Sequence, residues 1–197
     1  MASKYLYFVE GECEKKFLKS FMYRDDYEFE PGKVEVFNFI NSKMSKPQAR
    51  AIRKGTKVIV VFDTDVENIS ILNENVKLLN EVAEIPQEDI LFVTSIKTFE
   101  DELVYSCEKL NNINEMFKTQ SQSEFKRDFL KCNNVVTKLN ALKFDFNLMW
   151  SRNPKSPFEG FRNNSKAIKQ SKRYKNKFKI YIHNVYAHIS LCVSSYD

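Results

Sequence analysis

Residues 57–67, KVIVVFDTDVE, leave this chain few folds to adopt. Five consecutive apolar residues, Val58 to Phe62, are too uniformly apolar for a strand with one wet face. They predict a buried strand of a parallel sheet covered on both sides. The run delivers Asp63 and Asp65 at its carboxyl end. In an open α/β sheet, ligands bind in the crevice outside those ends. Two carboxylates there repel each other unless a cation sits between them. A hard divalent ion such as Mg²⁺ takes carboxylate oxygens and keeps several waters. The competing reading makes Asp65 the N-cap of the next helix, with Glu67 favouring the helix dipole.

The flanking pattern extends the sheet. YLYFV at 5–9, VEVFNFI at 34–40 and ILFVT at 90–94 read as three more strands. Between them, apolar residues at helical spacing predict helices over 12–22 and 68–84, the latter ended by Pro86. Ser45, Lys46 and Pro47 read as the cap and first turn of a short basic helix stopped by Gly55. Strand and helix in alternation imply an α/β fold: a parallel sheet of about four strands with flanking helices. After residue 96 the pattern turns mainly helical. Segments opening at the acidic cluster Glu100, Asp101 and Glu102, at Ser121 and at Asn134 each predict a helix. Another runs from a Ser165 cap to about residue 175, and 178–193 fits either strand or helix. The chain thus divides into a core over 1–96 and a helical, basic extension over 97–197 packed upon it.

Composition excludes several functions. No run approaches the eighteen or so apolar residues of a membrane span, and the N-terminus lacks a secretory pattern; a soluble, cytoplasmic protein is expected. Cys13, Cys107, Cys132 and Cys192 form no CxxC pair, and His183 and His188 are five residues apart, so free thiols and structural histidines are expected rather than a zinc site. Neither GxxxxGK[ST] nor GxGxxG occurs, so no nucleotide cradle is recognisable.

A second acidic motif ends the first strand. Glu10 closes YLYFV, Gly11 permits a tight turn, and Glu14 follows one helical turn on. If the first and third strands are neighbours, Glu10, Glu14, Asp63 and Asp65 share one crevice, a carboxylate density suited to one or two metal ions.

VEGECE at 9–14 followed by VVFDTD at 60–65 resembles the Toprim signature, a strand–turn–helix with a glutamate and a later strand ending in DxD. Toprim domains occur in topoisomerases, bacterial primases and several nuclease families. The resemblance covers about the first half of the chain. It implies that Glu10 matches the family glutamate, which can act as general base, that Asp63 and Asp65 match its metal-binding pair, and that Glu14 matches the second acid of the first motif. SIKTFEDELVYSC at 95–107 is similar to the element after the last core strand in RloB-like and OLD-type defence proteins, which would add Glu100 to the metal site. Unlike OLD proteins, the chain has no ATPase domain. The resemblance implies a Mg²⁺- or Mn²⁺-dependent nuclease cleaving phosphodiester bonds in DNA or RNA. It further implies an antiphage defence effector with an ATPase or sensor encoded separately.

Charge placement adds a substrate track. Residues 152–179 hold ten of the 31 basic residues and one of the 26 acidic ones, which leaves the remainder net acidic. On a helix from Ser165, Lys166, Lys169, Arg173 and Lys177 form one stripe suited to following phosphates, and Tyr174 and Phe178 suit stacking on unpaired bases. A plain solvated face, or docking of an acidic partner or a second copy as a homodimer, stays open. DxD after an apolar strand also occurs in glycosyltransferases and in phosphatases with an aspartate nucleophile, but neither accounts for VEGECE. A catalytically silent subunit binding nucleic acid or an ATPase partner is the remaining alternative.

Overall fold

The computed structural model describes residues 4–22 and 29–169. Four strands, β1 (Tyr5–Val9), β2 (Gly32–Val36), β3 (Lys57–Asp63) and β4 (Ile90–Ser95), form one all-parallel sheet in the order β2-β1-β3-β4. The expected α/β sheet with helices on its faces is therefore what the chain builds. Parallel strands must be covered on both faces, and the side-chain alternation shows how. Leu6 and Phe8 of β1, Val58, Val60 and Phe62 of β3, and Ile90 and Phe92 of β4 face one apolar cluster. That cluster is completed by Leu72 and Leu79 of helix α3 (Ser70–Glu81) and Ala49 of the short helix α2 (Lys46–Arg50).

The opposite face carries Tyr7, Val9, Ile59, Val61 and Val93 into a larger cluster. Helix α1 (Glu12–Met22) lies there with Phe17 and Phe21, joined by α4 (Phe99–Tyr105), α5 (Gln122–Lys131) and α6 (Val135–Ala141). Phe17 is the hub: its ring meets Phe99, Phe144 and Trp150 edge-on at 5.6, 5.9 and 5.5 Å between centroids, a favoured quadrupole geometry. The helices after β4 thus share the first helix's core. The last described helix, α7 (Ser165–Ile168), sits beside the β4 edge, where Asn164 donates its backbone N–H to Phe92 O at 2.7 Å and accepts from Phe92 N at 3.0 Å through its side chain. That edge is consequently not free for further pairing.

Several boundaries differ from expectation. β2 begins at Gly32, where a Cβ would stand 2.7 Å from Tyr5 O, so only glycine lets the two strands approach so closely there. It ends at Val36 instead of residue 40 because Asn38 turns the chain, its Oδ1 accepting from Ile40 N and Asn41 N. α2 has the expected Ser45 cap, as a full capping box with Gln48, but stops at Arg50; Gly55, at φ +75°, serves the turn into β3 instead. α3 begins at Ser70 with Ile69 at its N-cap and no side-chain cap, so Asp65 does not cap it. Asn164 rather than Ser165 stands at the N-cap of α7, which ends at Ile168 instead of near residue 175. Among the described residues Cys13, Cys107 and Cys132 are free, and no helix is long and apolar enough to cross a membrane. Cys192, His183, His188 and the 178–193 segment lie outside the described residues.

Candidate active site

Each strand of the sheet hands a polar residue to its carboxyl end: Asn38 after β2, Glu10 after β1, Asp63 closing β3 and Ser95 closing β4. Because β1 and β3 are neighbours, Glu10 and Asp63 meet. The backbone N–H of Asp63 donates to Glu10 Oε1 at 3.2 Å, and Asn38 Nδ2 donates to Glu10 Oε2 at 3.2 Å. The Glu10 carboxyl is thereby held between two strands.

Glu14 comes to the same lip by the turn at Gly11. It lies in the first turn of α1 and is buried, and a Cβ on Gly11 would stand 3.0 Å from its Oε2. The absent side chain at residue 11 is what admits the second carboxylate. Glu100 comes from the first turn of α4, whose capping box between Thr98 and Asp101 fixes its start. It is buried, with Lys126 Nζ of α5 at 3.4 Å from its Oε1. Asp65, by contrast, lies exposed on the loop beyond the lip. The DxD pair is therefore split into an inner and an outer acid.

The electrostatics register the crowding. Burial, then the charges of Glu10 and Glu14, push the Asp63 carboxyl up to about 9, against a hydrogen bond from Ser95 that pulls it down. Glu10 is pushed up to about 7, first by burial, with the Asp63 N–H opposing and Glu14 and Asp65 adding repulsion. Glu14 is raised by burial and then by Glu100, its own and Gly11's backbone N–H groups and Lys126 working the other way. Lys126 feels burial pulling its ammonium down, but Glu100 and Glu14 outweigh it and hold it above the usual lysine range. The four inner carboxyls thus form one electrostatic unit with Lys126 at its rim.

That donor set is all hard oxygen and carries more negative charge than Lys126 balances, which fits a divalent cation. Among the described residues no three Asp, Glu, His or Cys side chains are already gathered to hold a metal ion.

Sequence reasoning missed three residues. Ser95 stands in register opposite Asp63 and is itself braced by Trp150 Nε1, which donates to its Oγ at 3.2 Å. Asking of β4 and β2 what was asked of β1 and β3, which residue ends the strand, finds Ser95 and Asn38. Lys126, mid-helix and far along the chain, carries no such signal. The neighbouring Glu102 is fully buried but structural: its carboxylate accepts from Ile96 N at 2.8 Å, Trp150 N at 3.1 Å and Arg152 at 2.7 Å.

The expected basic stripe is not assembled as drawn. Lys166 is exposed on α7, but Lys169 leaves the helix with extended backbone, bridged antiparallel to Phe29. Its ammonium turns inward to Met149 O and lies 5.5 Å from the centre of the Phe146 ring. Burial pulls it down to about 8. A lysine so placed does not follow phosphates beside Lys166. Arg173 and Lys177, with Tyr174 and Phe178, lie outside the described residues. Comparison of the chain with models of known families, with curated proteins and with solved structures found no match.

Proposed function

We propose that this chain is a divalent-metal-dependent phosphodiester hydrolase, a nuclease of the Toprim kind acting on DNA or RNA. The observation that carries the reading is the hydrogen-bonded pairing of Glu10 and Asp63 at the carboxyl ends of adjacent central strands, with Glu14 and Glu100 crowded against them. Structural acids at strand ends are ordinarily neutralised by partners. Here Lys126 pairs with Glu100, but Glu10, Glu14 and Asp63 have no ion pair among the described residues, and mutual repulsion without a cation is costly.

Glu10, Glu14 and Asp63 are the residues that would hold Mg²⁺ or Mn²⁺, as one or two ions, with Glu100 and the outer Asp65 completing the shell. When bound, such ions neutralise charge on the phosphoryl oxygens and favour ionisation of a coordinated water. The protein's own groups supply the rest. Glu10, hydrogen-bonded to Asp63 N and Asn38 at the lip, is placed to accept a proton from an attacking water. Ser95 and Trp150 keep the Asp63 carboxyl from rotating away. Lys126 offers a positive rim to a polyanion. The extensions to antiphage defence, to a cytoplasmic setting and to a separately encoded ATPase or sensor rest on the motif resemblance.

The test is incubation of the purified full chain with single-stranded DNA, double-stranded DNA and tRNA-rich RNA, each with Mg²⁺, Mn²⁺ or chelator. Cleavage of at least one substrate with metal, stopped by chelator, is expected. Binding without cleavage under every condition would overturn the enzyme in favour of a silent binding subunit.

A further inference from the structure

Beyond the acidic lip, on the far side of Thr64, lies a cavity of about 450 Å³ with the opposite character. Its wall includes Thr64, Lys97, Arg152, Asn153, Lys155 and Ser156, and no acidic residue. Lys97 and Lys155 are exposed, and neither has an ion pair among the described residues. Arg152 is held in place on two sides, its guanidinium paired with Glu102 at 2.7 Å and centred 4.0 Å over the Tyr105 ring. The wall thus sets three cationic side chains beside hydroxyl and amide groups, over an apolar floor of Ile96 and Phe158, with Arg152 fixed in advance.

The backbone places this cavity deliberately close to the acids. Thr64 separates Asp63 from Asp65, so the cavity wall begins one residue, about 3.8 Å of chain, from the inner carboxylate. Thr64 Oγ1 donates to Ser95 O at 3.0 Å and accepts the Lys97 N–H at 3.0 Å, and Thr64 N donates to Lys97 O at 2.9 Å. These bonds hold Lys97 at φ 69°, in the left-handed region that a non-glycine residue occupies only at a cost. A glycine would sit there without strain. The turn fixes where the Lys97 side chain leaves the backbone, and its ammonium, like that of Lys155 across the cavity, has no carboxylate partner among the described residues.

We propose that this cavity is a phosphate subsite, in which Lys97 and Lys155 hold a backbone phosphate of the nucleic acid next to the phosphodiester presented at the acidic lip. The assignment rests on the nuclease reading and deepens it: the lip takes the bond to be cut, and the cavity takes the neighbouring phosphate and so sets the strand's register. The contact is to backbone, so it positions without reading sequence.

The test is fluorescence anisotropy of a labelled mixed-sequence single strand, in chelator, across a salt series, on the full chain. Lys97→Gln/Lys155→Gln is compared with wild type and with Lys43→Gln/Lys54→Gln, which removes the same charge from lysines paired with Glu74 and Glu84. Each phosphate contact to a single strand contributes about 0.7 to the log–log salt slope. The Lys97/Lys155 variant is therefore expected to lose about 1.4 from the slope and about tenfold or more in affinity near 0.1 M salt, with an unchanged melting temperature, while the control keeps its slope. An unchanged slope, or an equal loss in the control, overturns the subsite. Cleavage measured in parallel with Mn²⁺ separates the two claims. Cleavage by wild type with an unchanged slope sinks the subsite alone, and a lost slope without cleavage by wild type sinks the nuclease reading alone.

Discussion

Asp63→Asn is expected to remove metal-dependent cleavage by at least roughly a thousandfold, about 4 kcal/mol of transition-state stabilisation, while the chain stays folded. An amide has nearly the shape of the carboxyl it replaces. It also cannot take the ionised form that the fold opposes, since Asp63 is raised by burial and by Glu10 and Glu14. Glu10→Gln is expected to be comparably inactive, for its carboxyl is paired with Asp63 at the lip and is the group proposed to take the proton. Asp65→Asn belongs to the same set, but its exposed position makes a smaller loss the expected result. Rates from steady-state cleavage, with melting curves on each variant, check this. Full activity in Asp63→Asn would remove the acidic lip from the chemistry.

Without divalent metal, stability is expected to fall as pH rises from 5 to 7. The sign follows from where protons reside. In the folded chain Asp63 keeps its proton to about 9 and Glu10 to about 7, against ordinary values of 3.8 and 4.5. Between those limits the folded state binds more protons than the unfolded one, so raising the pH favours unfolding. Each pH unit costs about 1.4 kcal/mol per proton retained, giving about 3–5 kcal/mol over the window and a fall in melting temperature on the order of 10 °C. Asp63→Asn should flatten the profile and exceed wild type in stability at pH 7. The window stops short of pH 8, where the inward Lys169 begins to act with opposite sign: its folded value is lowered, so it gives up its proton first in the folded state. A flat wild-type profile would mean that these carboxyls are not crowded in solution.

The sheet was legible because the Val58–Phe62 run and the three shorter apolar runs are local signals with a single physical reading. Glu10 and Asp63 were legible for the same reason, since each is defined by where a strand stops. The loops were not. Whether Asp65 caps a helix or stands exposed is decided by Thr64, whose bonds reach Ser95 and Lys97 more than thirty residues away. Lys169 fits a helical stripe by spacing alone, yet its pairing with Phe29 ends the helix and turns its ammonium into the core. Glu100 and Glu102 look interchangeable at a helix start, and only the arrival of Trp150 and Arg152 makes one structural and leaves the other facing the lip.

The central claim is that Glu10, Glu14 and Asp63 form a divalent-metal site, and the most direct measurement of it needs no substrate. Melting temperature is recorded at pH 7.5 for wild type and Asp63→Asn as Mn²⁺ is titrated. At a hundredfold excess over its dissociation constant a ligand stabilises the folded state by about 2.7 kcal/mol, roughly 5–10 °C for a chain of this length. Wild type is expected to show that rise and Asp63→Asn to show little or none. An equal rise in both proteins, or none in wild type, would contradict a metal site at these acids.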